Sequence, residues 1–309
     1  MSGELASRPG VCEVEHVRGA ACAPDAPPDV LFEVPHGATR TAHFTALRAD
    51  LRGDYADDLL DFFHVNTDVG SPELARATAQ RIVQRQTRRS AVVVRCLLPR
   101  TFVDCNRRID RDAAPSASAA GEPTPGMGPW VQDERDRALL LARYDAYRDV
   151  ATRAFATVCD NGGLGLCVHT YAPRSIDVAV DADIVQSLRA AYAADRIGTF
   201  PLRPAIDLIT HDPDGRELAA ATLAERAEAE FTAAGFEVRR NGAYSLHPVT
   251  LAHEFAQRHA DATLCFEVRR DLLVPAFTPF AEMRPDPERV ERAAAPLAVA
   301  VLAAFAGRR

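Results

Sequence analysis

Asp104-Cys105-Asn106-Arg107 follows an apolar run, and two single histidines, His36 and His169, close two others. Imidazoles and carboxylates are ligands for a divalent cation, and an Asn-Arg pair offers an amide and a planar fork to an acidic ligand. His36 follows Val34-Pro35, and His169 ends Leu164-Gly165-Leu166-Cys167-Val168, with Thr170 and Tyr171 after it. If each run is a strand of one sheet, their exits can converge on one edge, where open α/β sheets build their sites.

Each group also has a plainer reading. A lone histidine after proline is more often merely hydrogen-bonded, and a catalytic metal needs three protein ligands with one position open. His16, His43, His64, His211, His247, His253 and His259 compete with His169; of these, His253 and His259 fall in a helical or loop stretch expected at the surface. Asp104, Asn106 and Arg107 could form a capped turn with a solvated arginine, or Arg107 could present its guanidinium to a substrate carboxylate. Glu267, within Leu264-Cys265-Phe266-Glu267-Val268, is more pointed. A carboxylate in an apolar strand is costly unless paired or used, and burial raises its pKa toward general-base duty. Arg269 and Arg270 are its plain partners, although neighbours in a strand point to opposite faces.

The elements that must position these groups alternate between strand and helix. Apolar runs at 30–35, 91–98, 164–169, 206–210, 236–239 and 263–268 read as strands. Helical spacing covers 56–63, 72–86, 131–159 and 217–234, and an Ala-rich stretch at 287–306 closes the chain. Residues 111–129 are full of Pro, Ala, Gly and Ser, and a loop that long is a functional lid or disordered. The expectation is a single α/β domain over 29–309, with a mostly parallel central sheet flanked by helices, preceded by a surface segment at 1–28.

Composition bounds the partners. With 309 residues and 47% hydrophobic content the chain can build one large core, and a net charge of −7 argues against nucleic acid. None of the 36 Lys and Arg residues is lysine, which reads as genomic base composition. Seven cysteines without a C-x-x-C pair suit small buried thiols better than a disulfide framework or a zinc ribbon. The first ten residues lack a signal-peptide pattern and no apolar stretch reaches spanning length, so a cytoplasmic protein without membrane association is expected.

In this order, the motifs resemble the N-formylglutamate amidohydrolase family, zinc-dependent relatives of aspartoacylase and the zinc carboxypeptidases. Val34-Pro35-His36-Gly37 resembles its Pro-His motif, and Asn66-Thr67-Asp68-Val69 its Asp-Thr-Asp segment. Phe102 to Arg107 resembles its Asp-Leu-Asn-Arg signature, Val168-His169-Thr170 its Asp-x-His-Ser strand end, and Asn241 to Tyr244 with Phe266 to Arg270 its glutamate-bearing terminal block. The resemblance implies a phosphorylase/hydrolase-like, zinc-carboxypeptidase-like fold. It implies that His36, Asp68 and His169 hold Zn2+ or another divalent metal, with Asp57, Asp58 and Glu33 as alternatives for the second ligand. Asn106 and Arg107 would grip a substrate carboxylate, with Tyr171 and Arg174 completing the substrate-binding set. Arg107 and Glu267 would be catalytic, Glu267 by moving protons. The substrate would be a small N-formyl or other N-acyl amino acid. A carboxypeptidase-like or aspartoacylase-like deacylase, or a non-catalytic binder of acidic ligands, is the alternative. Two departures stand out: Thr39 lies where carboxypeptidase-type relatives carry their second ligand, and Cys167 replaces the aspartate two residues before the second histidine.

Overall fold

A computed structural model describes residues 5–306; the first four residues of the expected surface segment and the last three of the expected domain lie outside them. Along the chain run β1 (Cys12–Arg18), β2 (Val30–Val34), α1 (Thr41–Asp50), α2 (Leu59–Asn66), α3 (Ser71–Arg85), β3 (Ser90–Cys96), α4 (Glu134–Cys159) and β4 (Leu164–Tyr171). Then follow α5 (Ile184–Ala191), β5 (Ile206–Ile209), α6 (Ala221–Ala233), β6 (Val238–Arg240), α7 (Leu251–Arg258), β7 (Thr263–Arg269) and α8 (Pro287–Ala306). The strands form one seven-stranded sheet in the order β1-β3-β2-β4-β7-β5-β6.

The four inner strands β3, β2, β4 and β7 are parallel. β1 pairs antiparallel to β3, while β5 pairs antiparallel to β7 and carries β6 parallel to itself. Every residue of β2 and β4 is buried. Strands covered on both faces need near-continuous apolar runs, which is how these two read in the sequence. Val30, Phe32 and Val34 pack with the apolar faces of α3, α6 and α8, whereas Leu31 joins the cluster on α4 and α7 on the other face. The result is a single three-layer α/β domain.

Several elements escape the sequence reading. Within the segment expected over the surface, Cys12–Arg18 forms an edge strand, and its alternation Cys12-Glu13-Val14-Glu15 is the pattern of a strand covered on one face only. α1, α5 and α7 also appear. α7 turns its inner face to the core, so His253 and His259 are buried, not exposed as expected. α4 starts at Glu134 and not at 131 because the Asp133 carboxylate accepts the Arg135 and Asp136 amides as an N-cap. No helix among the described residues is long and apolar enough to cross a membrane. Cys12, Cys22, Cys96, Cys105, Cys167 and Cys265 carry free thiols.

Alternation along β2 turns Glu33 onto the α4 face, where Tyr147 Oη donates to its Oε1 at 2.5 Å. Burial pushes the Glu33 carboxyl up from 4.5 to about 7, even though the Tyr147 bond opposes the shift. A carboxyl whose pKa is higher folded than unfolded contributes stability fully below its unfolded pKa and loses it as pH rises through the folded one. Comparing wild type with Glu33→Gln in urea titrations of the metal-free protein tests this. The stability advantage of wild type should shrink by about 2–3 kcal/mol between pH 5 and pH 8. A gap that does not change with pH would show that Glu33 does not titrate in that window.

Candidate metal centre

The parallel strands deliver His36 and His169 to the same edge. His36 follows the carboxyl end of β2, and His169 lies in β4, paired in register with Glu267 of β7. Gly37 lets the chain turn away at once: a Cβ there would meet Arg95 Cγ at 2.5 Å and the Cys96 carbonyl oxygen at 2.9 Å. Asp68 arrives from outside the sheet, in the turn between α2 and α3. Its carbonyl oxygen accepts the Ser71 amide at 3.1 Å and the Ser71 hydroxyl at 2.8 Å, and Gly70 closes the turn at φ 92°. That φ is open to glycine and strained for other residues.

Asp68 Oδ2 lies 3.3 Å from His36 Nδ1 and 3.1 Å from His169 Nδ1, and it also accepts the Thr170 amide at 3.2 Å. The two imidazole rings are 5.1 Å apart between centroids, and all three residues are buried. On the far side of the carboxylate, Arg270 Nη2 reaches Asp68 Oδ1 at 3.4 Å. The Arg270 fork also donates to the carbonyls of Thr170 and Val65. Burial by itself would raise the Asp68 carboxyl, but His36 and His169 outweigh it and hold it below the usual range. Burial would likewise lower His169, yet the bond to Asp68 keeps its pKa well above that of a free imidazole.

These donors fit a divalent cation. His36 Nε2 bonds Asp104 Oδ1 at 2.7 Å. If the ring is neutral, that bond leaves the Nδ1 lone pair facing Asp68 Oδ2, acceptor against acceptor, an arrangement a cation resolves. Around a tetrahedral zinc with bonds of 2.0–2.1 Å, ligand atoms lie about 3.3 Å apart, close to the spacing between Asp68 Oδ2 and each imidazole. Asp104 is the carboxylate that orients the histidine from behind. It takes Arg100 Nη2 at 2.9 Å, and against burial Arg100, His36 and Arg107 hold it well below the ordinary carboxylate pKa.

Of the groups expected to hold metal, His36, Asp68 and His169 converge. Among the alternatives for the second ligand, Asp57 and Asp58 are exposed and Glu33 is engaged with Tyr147, while Thr39 faces Arg95 at 3.5 Å. The expected substrate residues are placed less simply. Asn106 Oδ1 accepts the Ala252 amide at 3.0 Å, so its nitrogen is the atom left facing His169 Nε2 at 3.4 Å. Arg107 donates Nε and Nη2 to Thr124 at 3.1 and 3.0 Å, and Nη1 to the Asn106 carbonyl at 3.5 Å. Tyr171 Oη donates to the Pro204 carbonyl at 2.7 Å, and Arg174 Nη1 to that of Phe200 at 2.8 Å.

Glu267 is half-buried, and its Oε2 has no hydrogen-bond partner among the described residues. Neither plain partner takes it, since Arg269 pairs with Asp271 and Arg270 with Asp68. Burial is the largest influence on Glu267 and pushes it up to about 8. Sequence reasoning missed Arg100, which packs against Asp104 and lies 4.0 Å from Asp68, and the bracing role of Asp104. The only signal for Arg100 was its place four residues before Asp104.

A three-layer α/β domain with a buried His-Asp-His group, able to hold a metal ion beside an unpaired glutamate, defines a class of candidate metal-binding proteins. The sequence profile of the N-formylglutamate amidohydrolase family matches residues 29–274, and the chain belongs to that family. Solved structures share the fold. One is an N-formylglutamate amidohydrolase from Ralstonia eutropha, 16% identical over 96% of this chain and 98% of that one, with a TM-score of 0.59. Another is a gene product from Agrobacterium tumefaciens, 20% identical over 96% of both chains, with a TM-score of 0.55. A search of curated proteins finds no significant match.

Asp68 supplies the carboxylate that neutralises Arg270, whose side chain is only 4% exposed. Asp68→Ala would leave that guanidinium buried with carbonyl partners alone. We expect a loss of about 3–5 kcal/mol in urea unfolding of the metal-free protein, the scale for breaking a buried ion pair. A loss below about 1 kcal/mol would mean that the carbonyls of Val65 and Thr170 suffice.

Proposed function

We propose that this chain hydrolyses the amide bond of an N-formyl or other N-acyl amino acid, with zinc or another divalent ion held by His36, Asp68 and His169. One observation carries the reading: three buried ligand atoms converge beside Glu267, whose carboxylate has, among the described residues, an unbonded oxygen and no cation paired to it. The family and the similarity to the amidohydrolase from Ralstonia eutropha support the choice of amide hydrolysis.

A bound metal would lower the pKa of its water from 15.7 to about 7 and polarise the amide carbonyl. Glu267 takes the water's proton and returns it to the leaving amine, a role that suits a carboxyl poised near neutrality. Asp104 accepts from His36 Nε2 and keeps that imidazole oriented. Arg100, paired with Asp104 at the rim of the same cluster, is placed to offset negative charge developing at the carbonyl oxygen. Arg107 uses three of its five donors on Thr124 and Asn106, which leaves two for a substrate carboxylate. Thr124 belongs to the 111–129 loop, so Arg107 ties that loop to the Asn-Arg segment. Tyr171 is fixed by its hydroxyl on the Pro204 carbonyl, and Arg174 by its bond to the Phe200 carbonyl.

Stripping the protein with a chelator should abolish turnover of an N-formyl amino acid, and adding zinc should restore it. His169→Ala should lose both bound metal and turnover. Glu267→Gln should keep its metal while kcat falls by about a hundredfold or more, the usual worth of a general base. Arg107→Ala should raise KM and leave metal content intact. Full activity in the metal-stripped protein would end the reading.

A further inference from the structure

Two thiols lie just behind the proposed metal centre. Cys167 of β4 and Cys265 of β7 are partners in register, two residues before His169 and Glu267 on the same strands. Side chains two apart along a strand share a face, so the thiols stand behind the imidazole and the carboxylate. Neighbouring strands lie about 4.8 Å apart, inside the Cα separation of about 4.4–6.8 Å that a disulfide spans. Both Cβ bonds also leave the sheet on the same side, as a bridge requires.

The two sulfurs are part of one row of contacts. Cys167 Sγ donates toward Cys265 Sγ and toward the carboxylate of Glu33, its neighbour on β2, and Cys265 Sγ bonds the His169 ring. Carboxyl, thiol, thiol and imidazole thus follow one another across three strands. Cys265 keeps 6% of its surface and Glu267, two residues on, is half-buried, so a peroxide-sized molecule has its shortest approach from the site edge. Other thiols are also close: Cys12 pairs with Cys96 across β1 and β3, and Cys96 bonds Cys105. Those three are at most 1% exposed.

We propose that Cys167 and Cys265 are a modification site, which hydrogen peroxide joins in a reversible disulfide that weakens the metal centre. One sulfur attacks the peroxide: an S–O bond forms, the O–O bond breaks, and the departing hydroxide takes the thiol proton as water. The other sulfur then attacks this sulfenic acid. The S–S bond forms, the S–O bond breaks, and hydroxide leaves as a second water with the proton of the second thiol. Two thiols lose two electrons and two protons, and one peroxide becomes two waters. Glu33 is placed to carry the proton of Cys167. The disulfide removes the thiol that bonds His169, and losing such support behind a ligand costs about 10–100-fold in metal affinity. That consequence rests on the metal reading above; the disulfide does not.

The test treats the reduced full chain with hydrogen peroxide, alkylates it and maps it by mass spectrometry, with zinc affinity read in parallel. The map should join the segment holding Cys167 to that holding Cys265, about 2 Da lighter than the two thiols, and dithiothreitol should reverse it. Zinc affinity should fall about tenfold or more on oxidation and return on reduction. In Cys167→Ala the sulfenic acid has no partner, so Cys265 should pass on to sulfinic acid and the loss should resist dithiothreitol. Should that variant fail to fold, the wild-type map alone decides. Bonds at Cys12–Cys96 or Cys96–Cys105 instead, or Cys167 and Cys265 both still alkylated once the more exposed Cys22 is oxidised, overturn the proposal. A Cys167–Cys265 disulfide that leaves zinc affinity unchanged overturns it as well. A reduced protein that binds no zinc and yet forms this disulfide supports the thiol pair and overturns the metal reading instead.

Discussion

One buried carboxylate organises this molecule. Removing Asp68 from water costs several kcal/mol, and only a close set of cations and N–H donors offsets it. Arg270 after β7, the Thr170 amide in β4, and the imidazoles of His36 and His169 supply that set. They come from three separate parts of the chain, so satisfying Asp68 pins the exits of β2, β4 and β7 to the turn between α2 and α3. The ligand cluster is therefore a consequence of charge satisfaction as much as of sheet geometry. The same burial that makes Asp68 demanding strengthens every electrostatic interaction around it.

Polarity is layered behind the cluster. His169 and Glu267 are neighbours in register, and two residues back along the strands lie Cys167 and Cys265, with Glu33 beside Cys167 on β2. Where the family resemblance leads one to expect an aspartate at 167, a thiol stands, and a carboxyl appears in the same row from the adjacent strand. Tyr147 reaches that carboxyl from α4, tying the helix layer to the row beneath the site. Charge that could have been local in sequence is distributed across strands.

The mixed direction of the sheet shapes the rim. Three of the four parallel strands, β2, β4 and β7, gather His36, His169 and Glu267 toward their carboxyl ends, whereas the reversed β5 contributes the residues ahead of it. Asp207 then serves as a buttress in place of a catalytic carboxylate, because its oxygens are spent on two backbone amides. The same reversal puts Leu202, Arg203 and Pro204 where a wholly parallel sheet would have had none of them.

Much of this was legible in the chain. β2 and β4 announced themselves as unbroken apolar runs because strands covered on both faces can carry little else. His36, His169 and Glu267 stood out because polar groups at the ends of such runs, or inside one, are costly without a use, whereas Asp68 came from the family resemblance alone. Periodicity could not reveal β1, whose alternation is short and half polar, nor α1, α5 and α7, which are only 8 to 10 residues long and owe their helicity to packing. Nor could sequence spacing separate Asp68 from Asp57 and Asp58, foresee that Arg107 would be tied to Thr124, or show that β5 runs backwards. Residue types alone determined which chemistry was available; which atoms meet was decided by tertiary structure, because strand order, strand direction and the pairing of buried charges depend on contacts between residues far apart along the chain.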